Sequence, residues 1–453
     1  MNGPFAWFKW EALFTDYHIF LEGLIVTIEV GLLGLALAIV LGTISGVMST
    51  SKIKLLRIIS RVYVEIIQNT PLVIQVFFLF NGLPYINIVL PVFLIGILGV
   101  GIYHGAYISE VVRTGITSIS KGQFEASYSQ GFSHIETMRY IILPQTIKII
   151  IPPLTNQLVN LIKNTSVLAM IAGADLMHNA DSWSSQNMFY GPAYVVTGIL
   201  YFVLCYPLSV VARKMELRKK KLPKLELEAN QKADLAGLEG GGNMDMIFTK
   251  TNILFLFQGL KLTLTIAVIS IFLSMIFGTI LAVLRNYSKG IFGKLAAIYI
   301  EIFRNTPSLL WILSIRFLIP IKPMYSGILS FTLFTTAAIA EIVRGGMNSV
   351  NAGQYEASYS QGFSKIQTLR YIILPQSFKN CIPTILSQSS TVIKDTSYLW
   401  AVGIEEFTGK GMILMGSFAT STQVFLLFGT IAASYFIINF ILSCTMRSIK
   451  TVY

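Results

Sequence analysis

The chain has 453 residues, 54% of them hydrophobic and only 12% charged, with a mean hydropathy of +0.66. Soluble domains carry about a quarter charged residues, so this composition excludes a soluble globular enzyme and marks an integral membrane protein. The net charge of +12 admits nucleic acid or anionic lipid as partners, but the basic residues gather in one set of loops. Membrane lipid is therefore expected around the chain, and nucleic acid is not.

Residues 1–18 carry Trp7, Trp10 and Tyr17 with no cleavable leader pattern, and predict an amphipathic interfacial segment. About 20 mainly apolar residues cross a bilayer. By that measure the first half has five spans, at 22–48, 60–83, 89–112, 149–171 and 193–212. Lys52, Lys54, Arg57 and Arg61 follow the first. Pro71 falls near the middle of the second, where a proline frees the carbonyl four residues earlier and bends the helix. Asn69 and Thr70 beside it either line a polar translocation path or satisfy the freed backbone. Glu110, Arg113 and Gly115 form an E-x-x-R-x-G pattern at the end of the third span, and the i, i+3 pair is placed to brace the loop that follows.

Arg113, Lys121, Arg139 and Lys148 flank that polar loop. Lys163 and Asn164 lie well inside the fourth span, where an ionisable group is costly and is by default a functional candidate. The competing reading is snorkelling, or pairing with Glu65, Glu110, Glu301 or Glu341. Six basic residues between Arg213 and Lys221 follow the fifth span, whereas loops 84–88 and 172–192 contain no Lys or Arg. This bias puts the N-terminus outside and the polar loop in the cytoplasm.

Residues 214–250 are polar and glycine-bearing, and read as a linker between domains at 1–213 and 251–453. The second half has spans at 256–284, 295–319, 325–343, 378–402 and 423–446. Asn305, Thr306 and Pro307 repeat the polar break, and Lys394 with Asp395 repeats the deep charge. The charge bias runs the same way but less sharply, with Arg316, Lys322 and Lys410 as exceptions. Cys205, Cys381 and Cys444 all lie in apolar stretches and read as small hydrophobes. The four histidines show no ligand spacing, so no metal site is expected, and no nucleophile–base pattern suggests an enzyme.

Residues 125–144 read EASYSQGFSHIETMRYIILP, and residues 356–375 read EASYSQGFSKIQTLRYIILP, an offset of 231 (356 − 125). EIIQNTP at 65–71 answers EIFRNTP at 301–307, ISEVVRTG at 108–115 answers IAEIVRGG at 339–346, and KNTS at 163–166 answers KDTS at 394–397. The chain is two related halves. Five spans that start outside must end inside, yet a second copy in the same orientation must start outside, and the linker has no span to return it. One half has an even number of crossings, or the halves are inverted against the loop charges, or they are two polypeptides, the second able to start at Met244 or Met246.

The repeated loop follows one spacing: Glu-Ala-Ala, three residues, Gly, nine residues, Ile, one residue, Leu-Pro. The first copy supplies Glu125, Ala126, Ser127, Gly131, Ile141, Leu143 and Pro144, and the second supplies Glu356, Ala357, Ser358, Gly362, Ile372, Leu374 and Pro375. This resembles the EAA loop of the membrane-spanning permease subunits of bacterial ABC importers, with Ser for the second Ala in both copies. Small residues at Ala126 and Ser127 suit a contact face, and Glu125 complements a helix N-terminus. Gly131 permits a tight turn, and Pro144 can start the next helix. In that family the loop docks on the ATPase and carries its closure into the membrane domain.

NTPLVIQVFF at 69–78, KGQFEAS at 121–127, NTPS at 305–308 and AGQYEAS at 352–358 narrow the resemblance to the polar amino-acid branch (histidine, glutamine, glutamate, arginine, opines). Gln68 stands where Arg304 does, and Trp311 where Gln75 does, so the halves look heterodimer-like. The resemblance implies an all-α integral membrane fold with two homologous five-helix type I ABC importer domains in a parallel pseudo-two-fold arrangement. It places them in the bacterial cytoplasmic (inner) membrane, multi-pass, with an ABC ATPase dimer on the cytoplasmic side and an extracytoplasmic amino-acid-binding protein outside. A nucleotide-binding loop needs G-x-x-x-x-G-K-[ST], and Gly293-Lys294 and Gly409-Lys410 do not fit. The chain is thus expected to hold no cofactor, ATP being bound by the partner subunit. The alternatives are a permease for another solute, or a secondary transporter, against which the same-direction repeats argue.

Overall fold

A computed structural model describes residues 3–219, 249–288, 290–418 and 420–452. Among them every regular element is helical. The chain divides into two compact units, Met1–Ile247 with Thr420–Phe428 and Phe248–Ala419 with Gly429–Tyr453.

In the first unit a short helix α1 (Trp7–Thr15) precedes the long α2 (Tyr17–Ser49). Next come α3 (Lys54–Asn69), α4 (Leu72–Phe77) and α5 (Val92–Thr117). The polar loop folds as α6 (Lys121–Ser129) and a single turn α7 (His134–Glu136), and α8 (Leu143–Asn164) rises from it. Helices α9 (Leu176–Asn187) and α10 (Tyr190–Lys219) complete the unit. At 1.5 Å per residue, the 33 residues of α2 reach about 50 Å, more than a bilayer needs.

Three predicted spans of this unit differ from the observed helices, and in the second unit the spans expected at 295–319 and 378–402 likewise break after Arg304 and stop at Asp395. The second span of the first unit is broken rather than bent: α3 ends at Asn69, and the segment Leu72–Ile86 leaves at 102° to it. Thr70 (ψ 135°) and Pro71 (ψ 141°) are both extended, because the ring of Pro71 excludes the residue before it from the helical region. The fourth helix starts at Leu143 instead of 149 and stops at Asn164, and a 3₁₀ turn over Thr165–Ile171 replaces its expected end. There the hydroxyls of Thr165 and Ser166 donate to the carbonyls of Ile162 and Lys163 (2.7 Å each), and Ala172 turns the chain at φ 54°. The fifth helix runs to Lys219, so residues 214–219 of the expected linker are helical. The rest of that linker, with Met244 and Met246, lies outside the described residues.

Small residues let α2 lie against α5. A side chain at Gly42 would overlap Ile108 and crowd the carbonyl of Gly105, and one at Gly46 would overlap Val112. Close backbone approach of this kind is how apolar helices associate where no water drives them together.

The second unit repeats the order with α11 (Lys250–Tyr287), α12 (Ile291–Arg304), α13 (Ser308–Leu318) and α14 (Pro323–Met347). Its polar loop is α15 (Ala352–Ser360) and α16 (Lys365–Gln367), leading into α17 (Leu374–Asp395). Helices α18 (Phe407–Met415) and α19 (Ser421–Val452) follow. Here α11 meets α14 through Gly278 and through the hydroxyls of Ser270 and Ser274, which donate to the carbonyls of Ile328 (3.2 Å) and Thr332 (3.1 Å). Among the described residues six helices are long and apolar enough to cross a membrane, or seven if the bent pair is one span.

Candidate functional site

The two polar loops share the same turn, cap and cross-leg bonds. Helix α6 stops in a Schellman turn: Gly131 (φ 85°) donates its N–H to Tyr128 O at 3.0 Å, and Phe132 donates to Ser127 O at 3.1 Å. Gly362 (φ 83°) and Phe363 do the same to Tyr359 and Ser358. Left-handed backbone at that point is why a glycine stands there. Ser133 then caps α7 in a capping box with Glu136, as Ser364 does with Gln367. The Ser133 hydroxyl and N–H hold the Glu136 carboxyl below the usual carboxylate range. A π-helical turn, Thr137–Ile142 or Thr368–Ile373, carries the chain into α8 or α17.

The residues singled out from sequence separate into two faces. Glu125, Ala126, Glu356 and Ala357 are exposed, whereas Ser127 and Ser358 are buried. The Ser127 hydroxyl meets that of Thr137 at 2.9 Å and donates to Phe124 O, and Ser358 pairs with Thr368 at 3.0 Å. The expected contact face is therefore corrected: these serines tie the two legs of the loop together. Glu125 is likewise not at a helix start, since α6 begins at Lys121 and has no acid in its first turn. Leu143 and Pro144 fall in the first turn of α8, as Leu374 and Pro375 do in α17. The tip presents apolar side chains: Ile135 is 76% exposed and Ile366 77%, beside Tyr128, Tyr140, Tyr359 and Tyr371.

The E-x-x-R-x-G pattern seats this loop. Arg113 grips Glu110 with two nitrogens (2.7 and 3.1 Å), and a side chain at Gly115 would overlap Ile150 on α8. In the second unit Gly346 meets Cys381 and Ser377 on α17 in the same way. The charges differ, however. Glu341 receives Arg285 (2.8 Å), Arg344 (2.9 Å) and Arg304 (3.4 Å), and Arg285 also reaches Glu301 (3.0 Å). In the first unit Gln68 replaces Arg304 and donates to Ala106 O. A cluster of Ser45, Ser60 and Ser109 hydroxyls holds α2, α3 and α5 there, with both hydroxyl contacts at 2.9 Å.

At the helix breaks the polar side chains serve the backbone. Asn69 donates to Glu65 O at 2.7 Å and Asn305 to Glu301 O at 2.7 Å, each folding back onto the last turn of its own helix, while the carbonyl four residues before Pro71, that of Ile67, is met by Gln75. Thr306 donates to Ile302 O. The Gln75-for-Trp311 exchange preserves an N–H donor: Gln75 reaches Thr70 O and Ile67 O, and Trp311 reaches the Thr306 hydroxyl at 2.8 Å. Asn69, Thr70, Asn305 and Thr306 are all buried. Lys394 is buried and Lys163 half-buried. Asn164 contacts His104, which also contacts Gln157.

Sequence reading missed two buried acids. Asp175 and Glu406 cap α9 and α18, in the loops that follow the 3₁₀ turns. Their shared register was the signal that could have found them, since 406 − 175 is again 231.

The family described as binding-protein-dependent transport system inner membrane component matches residues 38–221 and again 274–450. The probable glutamine ABC transporter permease protein GlnM of Bacillus subtilis (strain 168) is 41% identical over 209 residues, 46% of this chain and 97% of that protein. The L-cystine transport system permease protein TcyB of the same organism is 34% identical, over 43% of this chain and 84% of that protein. A solved structure of an amino acid ABC transporter with histidines covers 46% of this chain and 98% of its own, at 32% identity and a TM-score of 0.43. Each relative is thus matched over most of its length by less than half of this chain.

Proposed function

We propose, from the premise that this chain belongs to the family of inner membrane components of binding-protein-dependent transport systems, that it forms the membrane-spanning pair of an ATP-driven importer of polar amino acids. The observation that carries this reading is the repeated loop: a stiff, two-legged hairpin with an exposed acidic and apolar tip, present once in each unit. A separate ATPase dimer docks on the two tips and binds the ATP, and a receptor outside delivers the solute. Hydrolysis is the ATPase's chemistry; this chain converts its closure into helix movement. Amino acids are favoured as cargo because relatives named for glutamine and L-cystine transport match so much of their own length.

Glu125 and Glu356 are exposed, so reversing their charge leaves the fold intact. Glu125→Lys with Glu356→Lys is expected to insert normally, lose co-purification with the ATPase, and abolish receptor-dependent glutamine uptake in vesicles. Unchanged uptake with normal ATPase association would falsify the coupling assignment. Uptake that persists without ATP would replace the importer with a secondary transporter.

A further inference from the structure

Asp175 and Glu406 each sit where a short helix meets the first and last long helices of its unit. Asp175 accepts the N–H groups of Met177 (3.1 Å) and His178 (3.2 Å) at the start of α9, and the hydroxyl of Tyr201 on α10 (3.4 Å). Thr27 on α2 accepts the neighbouring N–H of Leu176 at 3.0 Å. Glu406 accepts the N–H of Gly409 (2.9 Å) on α18, the hydroxyl of Thr263 on α11 (3.0 Å) and that of Tyr435 on α19 (3.1 Å). Thr263 in turn accepts the N–H of Phe407 at 3.1 Å. In both units one acid fastens a short helix between the first and last long helices.

Every donor to these two acids is neutral, and both side chains are fully buried. A carboxylate withdrawn from water without a cation is unfavourable, and binding a proton relieves it. Burial accordingly pushes both groups up, to about 7, against hydrogen bonds that pull the other way. Of the ionisable groups on the elements packed there, Tyr201 on α10 bonds Asp175 itself, Asp181 on α9 bonds Tyr194 on α10 with His178 nearby, Asp16 at the start of α2 bonds Trp183 on α9, and Glu22 and Glu29 on α2 are exposed. On the elements packed against Glu406 stand Glu405 beside it, Lys410 on α18, Lys261 on α11 two residues before Thr263, Tyr398 in the 3₁₀ turn, and Tyr435 on α19, which bonds it. Lys410 is turned aside to Gln258 (3.2 Å) and the Phe255 ring.

We propose that Asp175 and Glu406 are proton-linked positioning residues: each carboxyl holds a proton while its short helix is packed between the first and last long helices, and gives it up when that helix lifts. Lifting of either short helix is then coupled to proton release, and acid favours the packed state.

The sign follows from linkage. An acid whose folded value is raised binds more protons folded than unfolded, so stability is present below the unfolded value and is lost as pH rises towards the folded one. Purified full-length chain in lipid nanodiscs should therefore have a lower Tm at pH 8 than at pH 5. Amides of 176–187 and 407–415, corrected for intrinsic rates, should exchange about tenfold faster or more at pH 8. Asp175→Asn with Glu406→Gln keeps the capping oxygens but cannot titrate. It should flatten both dependences and raise Tm at pH 8. Should that double variant not fold, Tyr201→Phe with Tyr435→Phe removes a donor and keeps the acid, and should steepen both. An equal pH slope in wild type and in whichever variant folds, or a wild type more stable at pH 8, overturns the proposal. Neither readout requires transport, so it can fail while the importer assignment stands.

Discussion

Ser127 shows how one hydroxyl can set the geometry of a surface that it does not touch. Its bond to Thr137 is buried and joins α6 to the π turn ten residues on. Ser127→Ala leaves the Thr137 hydroxyl without that partner, and should cost about 1–3 kcal/mol in thermal unfolding of the unit. Adding Thr137→Val should recover much of the loss, and a double variant no better than the single one would show that the pair is not a closed unit. Gly131 offers a complementary test. A Cβ added there would meet nothing within 4 Å, so Gly131→Ala faces only the left-handed backbone, a cost of about 1–2 kcal/mol. Gly131→Pro adds the loss of the N–H given to Tyr128 and a φ the ring cannot adopt, and should unravel the turn and abolish uptake.

At the scale of elements, the helix breaks decide how the deep polar residues are read. If Asn69 and Asn305 serve only to bind back onto the ends of α3 and α12, their replacement by Ala should lower Tm by the equivalent of about 1–3 kcal/mol each and leave KM for uptake unchanged. A changed KM with unchanged Tm would return them to the translocation path. The long apolar helices and the repeated loop were legible in the sequence because span length and glycine-proline punctuation are local signals. The break at Pro71 was foreseen only as a bend, since the extended state of Thr70 depends on the proline that follows it. The inward turn of Ser127 was hidden, because its partner is ten residues away and a serine suits a contact face equally well. Asp175 and Glu406 were passed over as loop acids; their burial comes from threonines and tyrosines more than 25 residues away.

At the scale of the whole molecule, the chain carries two copies of what its relatives carry once. The parity conflict between five-span halves turns on the pair α3 and α4, whose 102° bend makes it either a broken crossing or a re-entrant excursion. Intact-mass measurement of the purified protein should give either one species near 50.3 kDa or two species of about half that size. One species requires an even number of crossings in one half or inverted halves, and two would place a start at Met244 or Met246. The glutamate that holds three guanidinium groups in the second unit holds one in the first, which has instead a serine cluster where the second unit has Leu281, Ala296 and Ala340. The copies have therefore stopped being spare parts for each other. Grafting Arg304 into the first half in place of Gln68 would bring a charge without the partners that the other half has accumulated around it, so descent by duplication no longer implies that either half can stand in for its twin.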